Sequence, residues 1–238
     1  MFTKEELNEW LNKVGSKVNE PVSVYMIGGC ALSFRGLKEK TKDVDMIVNS
    51  KEDFTILDKA ISNAGFKRKT DLEDEFYLTA LAVYTKGDES RIDLFLKQVG
   101  KMLWLSEAMI KRAEFFRNYG KLRIYLIYLE DIFLFKSMAS RPGDIIDCDR
   151  IFRRGINYDI VYSEILNQSK DKKWFFWLYE NIYKLEDYSK LPFPIKHKIF
   201  VLVKKHWKER PDDFMEDIPN LEKHVKDKKL LKDLIKEG

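Results

Sequence analysis

Six successive positions, residues 22–27 (VSVYMI), are almost wholly apolar and rich in β-branched side chains, which predicts a strand. Gly28-Gly29 breaks the run, and CALSFRGL after it reads as a short helix. Residues 44–48 predict a second strand. Phe54, Leu57, Ile61 and Ala64 recur at helical spacing, which predicts a helix over 53–64. Residues 76–84 and 91–96 read as strands joined by TKGDES, whose Gly-Asp pair suits a hairpin turn. A helix is expected near 106–117 and a strand near 122–129. At the start of the chain, Thr3 and Glu6 have the spacing of a capping box, so a helix is expected over 4–14.

Past residue 129 the pattern is helical almost throughout. Helices are expected over 130–139, 145–153, 158–168, 172–184, 195–208 and 221–236, punctuated by RPGD, LPFP and ERPDD. The fold class is therefore α+β: a mixed α+β core over residues 1–129, followed by an all-helical half over 130–238. No internal repeat or low-complexity tract interrupts it.

Composition narrows the function. With 238 residues, 45% hydrophobic and 13% aromatic, the chain can bury a sizeable core. Its 43 basic and 39 acidic residues nearly cancel, so net charge gives no argument for nucleic-acid binding. No apolar run has the length of a membrane span, and the N-terminal stretch lacks a signal-peptide core. Two cysteines, Cys30 and Cys148, lie far apart, and a reducing cytoplasm is the simple expectation.

The chemistry concentrates in MIGGCALSFRGLKEKTKDVDMIV. Asp43 and Asp45 flank Val44, and residues two apart on a strand share a face. Two carboxylates so placed repel each other and resist desolvation. Divalent cations remove that cost and prefer oxygen ligands. Asp93 stands in RIDLFL, a second strand; were the strands adjacent, three carboxylates would converge. Such a set holding two Mg²⁺ ions is suited to moving a phosphoryl or nucleotidyl group. Gly28-Gly29, between a strand and a helix start, can bring backbone N–H groups close to a phosphate chain.

Gly-Gly, thirteen residues, Asp-Val-Asp and a later strand Asp together resemble the nucleotidyltransferase fold of the DNA polymerase β superfamily. The closer resemblance is to its small prokaryotic branch, which includes abortive-infection-type toxin nucleotidyltransferases, where "GG-x-A-L … G … T-x-D-x-D" recurs. LEDIFLFKSMASRPGDIIDCDRI resembles that branch's helical segment with a Lys, an Arg and an Asp-x-x-Asp. The resemblance implies a mixed sheet with flanking helices, two Mg²⁺ ions, and a nucleoside triphosphate such as ATP as donor. It implies Gly28 and Gly29 as the triphosphate turn, Asp43 and Asp45 as ligands of both metals, and Asp93 as ligand and activator of the attacking hydroxyl. Lys136 becomes the phosphate-binding cation, with Lys42 inside the motif as a further nucleotide contact. Thr41, Arg141, Asp144 and Asp147 follow as weaker candidates. Many members carry Ser after the first Gly; here Gly29 stands there, so phosphate contact would rest on backbone. The toxin-like branch favours tRNA or protein as acceptor. Past about residue 156 the chain carries none of the motifs on which this resemblance rests.

Plainer roles stand beside these. Asp93 can pair with Arg91 or Lys97. Lys136 can be a solvated helix-face lysine, and Arg141 can favour a helix end through the dipole. Asp144 can be an N-cap, with Asp147 three residues on. Cys30 reads as a small buried residue. His197, His206 and His224 lack zincin spacing, the aromatic stretch 173–185 reads as core, and the charged 224–237 segment as a solvated face. Three functions follow from different classes: a metal-dependent nucleotidyltransferase, a non-catalytic nucleotide- or partner-binding module, and a helical nucleic-acid binder.

Overall fold

Thr3 starts the first helix, α1 (Lys4–Gly15), through a complete capping box. Its hydroxyl accepts from the Glu6 N–H, and the Glu6 carboxylate accepts from the Thr3 N–H at 2.7 Å. The computed structural model describes residues 1–69, 82–86, 90–99, 103–139, 141–168, 174–209 and positions 228, 231 and 232. The elements that follow α1 are β1 (Val22–Met26), α2 (Gly28–Phe34), β2 (Asp43–Val48), α3 (Lys51–Asn63), β3 (Lys67–Arg68), β4 (Ala82–Lys86), β5 (Ser90–Leu96), β6 (Gln98–Val99) and β7 (Leu103–Trp104). Then come α4 (Glu107–Arg112), β8 (Glu114–Tyr119), β9 (Leu122–Leu126), α5 (Leu129–Ala139), α6 (Pro142–Arg154), α7 (Tyr158–Asn167), α8 (Trp174–Ser189) and α9 (Lys196–Glu209). The architecture is α+β: a sheet-bearing N-terminal part and a helical C-terminal part.

Among the described residues, seven strands form one mixed sheet in the order β3-β4-β5-β2-β1-β9-β8, and β6-β7 form a separate ladder. β1 runs antiparallel to β2 and parallel to β9, while β2 runs parallel to β5. The central strands are covered on both faces, as their continuous apolar runs require; Val24, Met26, Met46, Ile47, Ile92 and Leu94 are all buried. α3 lies over the face that carries Tyr84, whose hydroxyl donates to the Asp58 carboxylate. Ser50 caps that helix, accepting from the Asp53 N–H at 2.9 Å.

The chain divides into two compact units, Met1–Phe135 and Lys136–Gly238, with the division falling inside α5. In the second unit, Asn181 of α8 reaches Ser137 at 3.0 Å. Phe193 packs against Phe152 and Tyr158. The aromatic stretch opening α8 is core: Trp174, Phe175, Phe176 and Tyr179 are buried. Each unit holds one cysteine, neither is in a disulfide, and both are buried.

Two expectations are corrected. The single helix expected over 106–117 is a short helix, α4, followed by strand β8. Ser106 caps α4, but from Glu114 the chain pairs with β9, and the two strands join at Gly120, whose φ is +62°. Pairing with a sheet edge overrides the helix-compatible run of Glu, Ala, Lys and Arg. The strand expected over 122–129 stops at Leu126, and α5 begins at Leu129. The 221–236 helix, His224, the GDE of the TKGDES turn, the ERPDD stretch past residue 209, and most of the 76–84 strand lie outside the described residues.

Candidate active site

The acids sit on β2, the central strand of the seven, and on its neighbour β5. β2 and β5 pair in parallel with Asp43 opposite Arg91 and Asp45 opposite Asp93. Paired residues of a parallel ladder share a face, and residues two apart share it as well. Asp43, Asp45, Arg91 and Asp93 therefore point to one side of the sheet. Tyr84, adjacent to the Val83 that pairs with Asp93, points to the other side, toward α3. Asp43 and Asp45 are half-buried, and Asp93 is 6% exposed.

Gly28 and Gly29 are bound into this arrangement by what fills the space above them. A Cβ on Gly28 would lie 2.1 Å from Asp45 Oδ2, and its φ of +64° is one that side chains rarely adopt. A Cβ on Gly29 would lie 2.4 Å from Thr41 Oγ1 and 3.4 Å from the Lys38 ammonium. Gly29 itself has ordinary helical backbone. The two glycines thus let the first turn of α2 settle against the Thr-x-Asp-x-Asp segment. Thr41 is buried, its hydroxyl donates to the Asp43 carbonyl at 3.1 Å, and its backbone exchanges hydrogen bonds with Phe2. Cys30 donates from its thiol to the Ile27 carbonyl at 2.9 Å. Lys42 is exposed. Gly28→Ala is expected to cost about 1–3 kcal/mol, from overpacking against Asp45 and from strain at positive φ. A chemical-denaturation midpoint measures it, and an unchanged midpoint would show that Asp45 moves aside freely.

Asp93 is engaged. Arg91 Nε donates to its Oδ1 at 2.6 Å and Arg91 Nη2 to its Oδ2 at 2.6 Å. The donor set fits Mg²⁺ in its chemistry, being three carboxylates on one face. As they stand, no three His, Cys, Asp or Glu side chains among the described residues gather closely enough to hold an ion. The third carboxylate is turned to a guanidinium instead.

Lys136 is enclosed by acids of the next helix. It is not a solvated helix-face lysine: its side chain is 11% exposed, and its ammonium contacts Asp144 at 2.8 Å and Asp147 at 3.1 Å. Arg141 joins Asp144 at 2.6 Å and Arg150 joins Asp147 at 2.9 Å. Asp144 is not an N-cap, because α6 starts at Pro142, which suits a first turn, and Arg141 takes the cap position. Nor does Arg141 end the preceding helix. Both acids are buried at 2% and 1% exposure. Burial pushes the Asp144 carboxyl up, but the Lys136 ammonium and Arg141 outweigh it, leaving the carboxyl below the ordinary value of 3.8. A depressed carboxylate adds stability that is complete above its unfolded value and fades as pH falls through its folded value. Unfolding midpoints taken down a pH series are therefore expected to drop below pH 3.8, and Asp144→Asn to flatten that drop.

The motif does not name Lys38 and Arg91, yet both are at the site. Lys38 belongs to an alternating Lys38, Lys40, Lys42 series in the sequence, and Arg91 stands two residues before Asp93.

A family model described as "Nucleotidyltransferase of unknown function (DUF6036)" matches residues 5–184. No curated protein matches the chain. Among solved structures, JHP933 from Helicobacter pylori overlaps with a TM-score of 0.40 at 15% identity, covering 84% of this chain and 87% of its own. A CCA-adding enzyme in complex with CTP overlaps at a TM-score of 0.29 and 15% identity, covering 98% of this chain and 65% of its own. Overlaps this partial leave the fold assignment to the family match and to the sheet itself. No helix among the described residues is long and apolar enough to cross a membrane.

Proposed function

Because the chain belongs to the DUF6036 family of nucleotidyltransferases, we propose that it transfers a nucleoside monophosphate from a nucleoside triphosphate to an acceptor hydroxyl, releasing pyrophosphate. The observation that carries this reading is the register of β2 and β5, with Asp45 opposite Asp93 and Asp43 on the same face. Three carboxylates on neighbouring strands are costly for a fold and useful for phosphoryl chemistry.

Asp43, Asp45 and Asp93 would hold two Mg²⁺ ions, which offset the negative charge that builds on the phosphorus and the departing pyrophosphate. Asp93 would take the proton of the acceptor hydroxyl as its oxygen attacks the α-phosphorus. The bond to the bridging oxygen then breaks, and pyrophosphate leaves with the electron pair. Gly28 and Gly29 hold Asp45 and Thr41 in register with the first turn of α2, and Lys38 and Lys42 supply cations for the phosphates. The acceptor is a hydroxyl of RNA, protein or a small molecule.

Incubation with each labelled triphosphate, Mg²⁺ and total cellular RNA and protein tests the proposal through transfer of label. No transfer to any acceptor, together with triphosphate binding that is indifferent to Mg²⁺, would leave a non-catalytic nucleotide-binding module in its place.

A further inference from the structure

We propose that Arg91 guards the carboxylate site: it holds Asp93 while no divalent cation is present and must release it before the three acids can close on one. This inference rests on the metal-dependent reading above. The guanidinium spans both Asp93 oxygens at 2.6 Å each. A carboxylate bridged in that way cannot also chelate a cation through both oxygens. The two residues are neighbours on one face of β5, so the pair forms without any loop or domain rearrangement. Arg91 is also the cross-strand partner of Asp43, which puts its single positive charge in the midst of three negative ones. Asp93 is buried, and a buried carboxylate needs a counter-charge at all times. With a cation bound, that charge comes from the cation; without it, Arg91 provides it.

Two partners that exclude each other at one group are linked reciprocally. The cation weakens the Arg91–Asp93 pair by the same factor as the pair weakens the cation. This distinguishes a guard from a residue that merely braces the sheet. A brace contributes the same stability in both states; a guard contributes only when the cation is absent.

Mn²⁺ is the probe, its binding followed by the paramagnetic resonance signal of the free ion, alongside the unfolding midpoint in chelator and in saturating Mn²⁺. Arg91→Gln is expected to bind Mn²⁺ about tenfold more tightly than the native chain, the scale of one charge-assisted hydrogen bond. Its midpoint is expected to lie below the native one in chelator and to rejoin it in saturating Mn²⁺. Arg91→Lys keeps the charge but loses the fork, and is expected to bind more tightly than the native chain as well. Equal Mn²⁺ affinity in the native chain and Arg91→Gln, or a midpoint deficit that persists in saturating Mn²⁺, overturns the guard while leaving the carboxylate site standing. Asp93→Asn should weaken binding in every background. If native chain and Arg91 variants alike bind no Mn²⁺, the metal reading itself fails and the guard falls with it.

Discussion

Asp45→Asn is expected to lower nucleotide transfer by about a thousandfold or more while the sheet stays folded. Losing one preorganised group that stabilises transition-state charge has an effect of that order. Asp45 occupies the central position of the site: it faces Asp93 across the β2–β5 ladder, stands two residues from Asp43, and has its carboxylate against Gly28. Asn preserves the shape that fits over Gly28 and removes the charge. Removing one of several like charges relieves repulsion when no cation is present, so the unfolding midpoint is expected to hold or rise. Asp93→Asn is expected to match the loss of transfer but to lower the midpoint slightly, because Arg91 then keeps only a neutral partner. Single-turnover transfer and a thermal melt on each variant check both halves. A fully active Asp45→Asn would remove the carboxylates from the chemistry.

Lys136→Ala is expected to destabilise the chain by about 3 kcal/mol, the lower end of the cost of breaking a buried ion pair from one side. The variant removes the ammonium from the buried Asp144 and Asp147, and the Arg141 and Arg150 side chains that also contact them are 52% and 44% exposed. For a chain of this size the melting temperature would fall by about 6–12 °C. Replacing all three members at once, with Lys136→Met, Asp144→Asn and Asp147→Asn, is expected to recover much of the loss, since no buried carboxylate is left uncompensated and Arg141 and Arg150 can turn to solvent. A lysine reserved for phosphate would behave oppositely: Lys136→Ala would weaken triphosphate affinity and leave the melt untouched.

The sequence was legible where a signal is local. The Thr3–Glu6 box, the strand–Gly-Gly–helix junction and the Asp-Val-Asp strand need only neighbours along the chain, and each is found where the pattern places it. Asp93 was also legible as a strand acid, and its contact with Arg91 is an i, i+2 relation open to inspection. What was not legible depends on distant packing. Nothing in the local sequence reveals that Asp45 and Thr41 fill the space over the two glycines, because that contact spans a loop. β8 is hidden in a helix-compatible run because EAMIKRAEFF suits a helix until the pairing with β9 is known; the aromatic pair before Arg-Asn-Tyr-Gly is the local hairpin signal. The burial of Lys136 escapes the sequence for the same reason, since the acids that enclose it arrive on the next helix.

The two buried thiols turn this chain into its own stopwatch. Cys30 sits in the glycine turn of the first unit, and Cys148 beside Asn181 in the second. Burial pushes the Cys148 thiol up to about 12, so it is inert to alkylation until its surroundings open. With two cysteines in the whole sequence, one in each unit, a thiol reagent applied to the native protein times the opening of each half separately. The same alkylation rates measured with and without a triphosphate test whether a nucleotide holds either half shut.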